Sequence, residues 1–98
     1  MTSDDHAAAA LAIYERLLAE RPHEVHQTLS EAARHVVNLR DALITRDRRG
    51  ESVDDRLAAA NVLASLAVSC QFPIAGVKWS RMETARDALR AFCDRSGQ

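Results

Sequence analysis

Between Arg56 and Phe72 the chain reads RLAAANVLASLAVSCQF, and no charged side chain interrupts it after Arg56. Its interior polar side chains, Asn61, Ser65 and Ser69, recur every four residues, so on a helix they form one narrow stripe and leave the remaining surface apolar. A helix of this kind needs neighbours on most of its circumference. A chain of 98 residues has little polypeptide with which to provide them. The sequence therefore predicts an all-α, up-down four-helix bundle with the third helix central, and it predicts that a second copy supplies part of the cover.

The composition suits one domain spanning residues 1–98, with 47% hydrophobic residues for its core. Thirteen basic residues against fourteen acidic ones leave a net charge of -1, so no global field draws the chain to nucleic acid or to an anionic membrane. Twelve of the thirteen basic residues are arginine. Together with the many alanines, this reads as a bacterial-like coding bias rather than as phosphate recognition. Cys70 and Cys93 have neither metal nor redox spacing, and no signal-peptide pattern opens the chain, which points to a reducing cytoplasmic setting. The apolar run is shorter than the ~20 residues that a membrane span requires.

Punctuation and period divide the chain into four helices. Thr2 or Ser3, followed by Asp4 and Asp5, predicts an N-cap and an acidic first turn for a helix from Asp4 to Glu20, with Leu11, Ile13, Tyr14, Leu17 and Leu18 inward. Arg21-Pro22 ends it, and Pro22 suits the first turn of a second helix running to Arg49. This is the longest of the four. Val25, Leu29, Ala32, Val36, Leu39 and Leu43 give it a heptad seam, widened by Ala33, Val37 and Ile44, and Gly50 offers a left-handed cap. Ser52 with Asp55 opens the third helix, which stops before Pro73. On it Val62, Leu63, Leu66 and Cys70 form a bulky side, and Ala60, Ala64 and Ala67 a smooth one suited to close helix contact. Ser80 with Glu83 predicts a capping box for the fourth helix, whose inward residues are Met82, Ala85, Leu89 and Phe92.

With these bounds the first helix is ~16 Å shorter than the second and covers it only to Val36. One end of the bundle is then three helices thick. Val37, Leu39, Leu43 and Ile44 lie there, and with the Ala60, Ala64, Ala67 strip they form the predicted homodimer interface. Ile74, Val77 and Trp79, in and beside the apolar connection FPIAGVKW, are candidate contacts for a partner protein, with the alternative that Trp79 plugs the bundle's end.

Sites for chemistry are sparse. His23, His26 and His35 are the candidate metal ligands, but no third ligand converges with them, and no cofactor is expected. His26 or His35 could accept a phosphoryl group, yet Gln27, Thr28, Leu29 and Ser30 after His26 lack the small and basic residues that would admit and neutralise phosphate. Arg40, Arg46, Arg48 and Arg49 make the densest basic patch, a weak candidate for nucleic acid that Asp41, Asp47 and Glu51 dilute. Asn61 could set register in a helical contact. The sequence thus favours a small non-enzymatic homodimeric module for protein–protein interaction. Its alternatives are a ligand-binding or enzymatic helical domain completed on folding or dimerisation, and a nucleic-acid binder using the Arg46–Arg49 turn.

Overall fold

The computed structural model describes residues 2–71 and 78–96. Four helices follow one another: α1 (Ser3–Glu20), α2 (His26–Arg48), α3 (Asp54–Gln71) and α4 (Trp79–Ser96). They close as a ring in which α1 packs on α2 and α4, and α3 packs on the same two neighbours. Cross-links fix the directions. Gln71 at the end of α3 donates to Ser30 near the start of α2, and Glu15 of α1 and its cap residue Arg21 meet Arg90 and Glu83 of α4 in reverse order. The architecture is the up-down, all-α bundle, with α2 longest. In this ring α3 takes a corner like the other three helices, not a central place.

The helix ends follow from local chemistry. The Asp5 N–H donates to the Thr2 hydroxyl at 3.1 Å, and the Thr2 N–H donates to the Asp5 carboxylate at 3.0 Å, a reciprocal capping box. Arg21 then turns left-handed (φ 44), its N–H bonded to the Leu17 carbonyl, because the following Pro22 disfavours a helical Arg21. The left-handed turn delays α2, which starts at His26 and not at Pro22, with buried Val25 as its anchor. At the far end of α2 the Gly50 N–H bonds to the Asp47 carbonyl and the Glu51 N–H to the Arg46 carbonyl, a Schellman closure with Gly50 at φ 87. The predicted caps at Ser52 and Ser80 are displaced. Asp54 opens α3, so Val53 takes the cap position and buries its side chain, and Ser80 lies inside α4.

The heptad seam of α2 is the core. Leu29, Leu39 and Leu43 are fully enclosed, together with Tyr14 of α1 and Met82 and Leu89 of α4. Alanines at Ala7, Ala10, Ala32, Ala60, Ala64, Ala67 and Ala85 fill the same interior and let the backbones approach. Of the seven residues predicted to form a dimer interface, Leu39, Leu43, Ala60, Ala64 and Ala67 are buried within the chain itself, and Val37 and Ile44 are half-buried. The predicted thin end does not exist. α2 has 23 residues and α1 has 18, and Thr2 and Ser3 line one recess with Ala42, Thr45 and Arg46, so α1 accompanies α2 nearly to its end. The expected mismatch arose from starting α2 at Pro22.

Two substitutions test this packing. Gly50 has open space where a Cβ would stand, so only its backbone conformation resists a side chain. Gly50→Ala is expected to lower the unfolding free energy by ~1 kcal/mol in a denaturant titration. The Tyr14 hydroxyl is buried without a hydrogen-bond partner among the described residues. An unmade bond of this kind costs ~1–3 kcal/mol, so Tyr14→Phe is expected to leave the chain as stable as before or to stabilise it by ~1 kcal/mol.

Candidate functional site

The candidate residues for chemistry are scattered. His23 and His26 are exposed around the start of α2, apart from His35, and no group of three or more His, Cys, Asp or Glu side chains able to hold a metal occurs among the described residues. His35 instead meets His6 of α1. Their Nδ1 atoms lie 3.0 Å apart, and the ring centroids are separated by 5.3 Å with the planes tilted by 44°. The two nitrogens face each other, a geometry that one proton fills: an Nδ1–H on one ring donates to the bare Nδ1 of the other. Two protons there would set N–H against N–H. The sequence carried a signal for this pair that its reading missed, because His6 extends the inward stripe of Ala10, Tyr14 and Leu17 by one turn.

Burial lowers the pKa of His6 below its ordinary 6.5, the charge of His35 and the amino terminus lower it further, and Asp5 opposes them. His6 in the folded chain thus binds fewer protons than in the unfolded chain. The stability it contributes is complete above pH 6.5 and is lost as pH falls through its lowered value. Asp5, its pKa held down by the Thr2 N–H and hydroxyl from an ordinary 3.8, titrates below this window.

The other reactive groups are quiet. Burial pushes the thiol of Cys70 up, and burial with the nearby Asp4 and Asp94 carboxylates pushes that of Cys93 up, so neither is an activated thiolate; both are free cysteines. Burial, with Cys70 beyond it, pushes the Tyr14 phenol up and keeps it protonated. In the arginine patch Arg46 is paired with Glu51 at 3.1 Å, and Arg40 sits 3.9 Å from Asp41. Arg46 and Arg49 line the recess beside the start of α1, where Asp4 and Asp5 already occupy the positive end of the helix dipole. This arrangement disfavours phosphate there.

Trp79 is half-buried against the core, with the Arg21 guanidinium 5.3 Å from its ring centroid, so it closes the bundle more than it projects from it. Ile74 and Val77 lie outside the described residues.

The surface of α3 is the exception to this quiet exterior. Its exposed arc comprises Ala58, Asn61, Val62, Ser65 and Val68, and Val62 and Val68 are the large hydrophobic residues left exposed, at 58% and 50%. The bulky side expected of this helix is therefore divided: Leu63 and Cys70 are buried, Leu66 is half-buried and Val62 faces out. The stripe of Asn61 and Ser65 faces outward, and Ser69 turns its hydroxyl back to the Leu66 carbonyl at 2.8 Å. Beside Val62 a shallow groove of about 230 Å³ opens between α3 and α4, lined by Ala59, Leu63, Ala88, Ala91, Phe92 and Arg95. A solvent-facing helix surface usually carries charge, and depletion of charge is the compositional mark of a contact surface.

Comparison with protein-family models, with curated proteins and with solved structures finds no match for this chain. Among the described residues, no helix is long and apolar enough to cross a membrane.

The paired imidazoles generate a direct test. Thermal unfolding of the wild type is expected to fall in midpoint between pH 7.5 and 5.5, and His6→Phe is expected to flatten that pH dependence. Identical pH profiles for the two chains would contradict the assignment.

Proposed function

We propose that this protein is a non-enzymatic helical module that works by surface contact and associates with itself through the outer face of α3. The observation that carries the reading is the uncharged arc from Ala58 to Val68, with Val62 and Val68 exposed while the other large apolar side chains among the described residues are buried or partly covered. Two further features support contact over chemistry. His6 and His35 are engaged with each other and not with a hydroxyl, thiol or carboxylate, and both cysteines have thiols pushed up in pKa. A reducing, cytoplasmic-type compartment suits two free thiols.

The interface moves from the seam of α2 to α3. The α2 leucines complete the fold, so a partner has no access to them without unfolding the chain. Burying Val62, Val68 and the adjoining groove removes apolar area from water at ~25 cal/mol per Å², and the one charged side chain on the groove, Arg95, is exposed and stands at its margin.

Sedimentation velocity over a wide concentration range tests the reading. The wild type is expected to show reversible dimerisation, and Val62→Asp with Val68→Asp is expected to abolish it while changing stability by less than ~0.5 kcal/mol, since both residues are exposed. A wild type that stays monomeric, or a double variant that dimerises as strongly, would contradict it.

A further inference from the structure

The face of α3 is flanked by opposite charges at its two ends, and these make no ion pair among the described residues. Asp54 and Asp55 form the first turn, and neither makes an ion pair among the described residues. At the other end stand Lys78 and Arg81. The Arg81 guanidinium donates to the Ser69 carbonyl at 3.3 Å, which fixes a cation level with the last turn of α3, and it makes no ion pair among the described residues. The remaining charges nearby do not alter this polarity. Arg95 lines a recess with Asp55 and offsets part of its charge, Asp94 beside it adds a further acid, and Arg56 there is tied to Asp4, so the end stays acidic; Glu83 at the basic end faces Arg21 at 3.8 Å.

We infer that the partner of this face is a second copy of the same chain, docked antiparallel about a two-fold axis close to Val62. The inference rests on the contact role proposed for α3 and adds its partner and geometry. Turning one copy end for end sets Asp54 and Asp55 against Lys78 and Arg81 of the other, and the two-fold symmetry makes that contact twice. A parallel pairing would set the acids against acids and the bases against bases. The axis falls midway between Asp54 and the level of Ser69 to Gln71, which is beside Asn61 and Val62. There the two copies of Val62 meet, each next to the groove over Ala59, Leu63 and Phe92.

The size of the face sets the strength. α3 is ~27 Å long and ~10 Å wide, well short of the ~800 Å² per partner of a standard interface, so the α4 flank at Ala88 and Ala91 must join it and the dimer is weak and reversible.

Disulfide trapping tests the arrangement, using the whole chain with Cys93→Ser and buried Cys70 retained. Asn61→Cys lies near the axis and is expected to cross-link to its own copy on mild oxidation. Ala58→Cys is displaced from the axis by ~6 Å in each copy, which separates the paired Cα atoms beyond the ~7 Å reach of a disulfide, and it is expected to stay reduced. Reversing Asp54 and Asp55 to Lys, or Lys78 and Arg81 to Glu, is expected to weaken the dimer, and combining the reversals to restore it. Equal cross-linking at both positions in a sedimenting dimer would mean a parallel pairing and overturn the inference, leaving the contact role of α3 intact. A dimer that traps at neither position uses another surface, and a chain monomeric throughout has no second copy to dock; either result overturns both proposals.

Discussion

Burial of the α2 leucine seam is the constraint on which everything else in this molecule depends. Leu29, Leu39 and Leu43 need enclosure on several sides, and four short helices enclose them only because alanines on α1, α2, α3 and α4 let the backbones come close. With bulkier residues at Ala10, Ala60 or Ala67 the ring would have to open, and overpacking of such sites costs ~1–3 kcal/mol. The inward use of small residues has a consequence for α3. Ala60, Ala64 and Ala67 face the interior, so its two valines, Ala58, Asn61 and Ser65 are left to face outward.

Most of the architecture was legible because it is written in punctuation and period. The N-cap at Thr2 or Ser3 with its acidic first turn, the stop at Arg21-Pro22, the Gly50 closure and the inward series Met82, Ala85, Leu89, Phe92 each follow from a residue type at a required position, and the structure gives the cap to Thr2. The failures have physical causes. Pro22 fits the first turn of a helix, but a left-handed Arg21 turns the chain so that α2 cannot begin there, and four residues of misplaced helix produced a thin end that the protein lacks. On α3 apolar residues are spread round the axis, so period alone assigns no face. Grouping Val62 with Leu63, Leu66 and Cys70 by bulk does not separate the buried members from the exposed one, and the alanine side is the one the interior takes in whole.

The same limit governs the functional residues. Contact surfaces and cores draw on the same side chains, and a sequence cannot tell which apolar stripe is used within the chain and which is left for a partner. The seam containing Leu39 and Leu43 looked like an interface and is the core. His35 looked like an isolated helix-surface imidazole and shares a close contact with His6, which becomes visible only once the register of α1 against α2 is known. What the fold adds is an asymmetry between an inside completed by one chain and one outer face without charge.

The central claim is that one chain completes its own core, so that association is an addition to the fold and not a condition for it. Equilibrium denaturation of the Val62→Asp, Val68→Asp double variant at widely separated protein concentrations tests this most directly. The account predicts one cooperative transition whose midpoint does not move with concentration. A midpoint that rises with concentration, or a variant without cooperative unfolding, would show that the leucine seam needs a second chain for its cover.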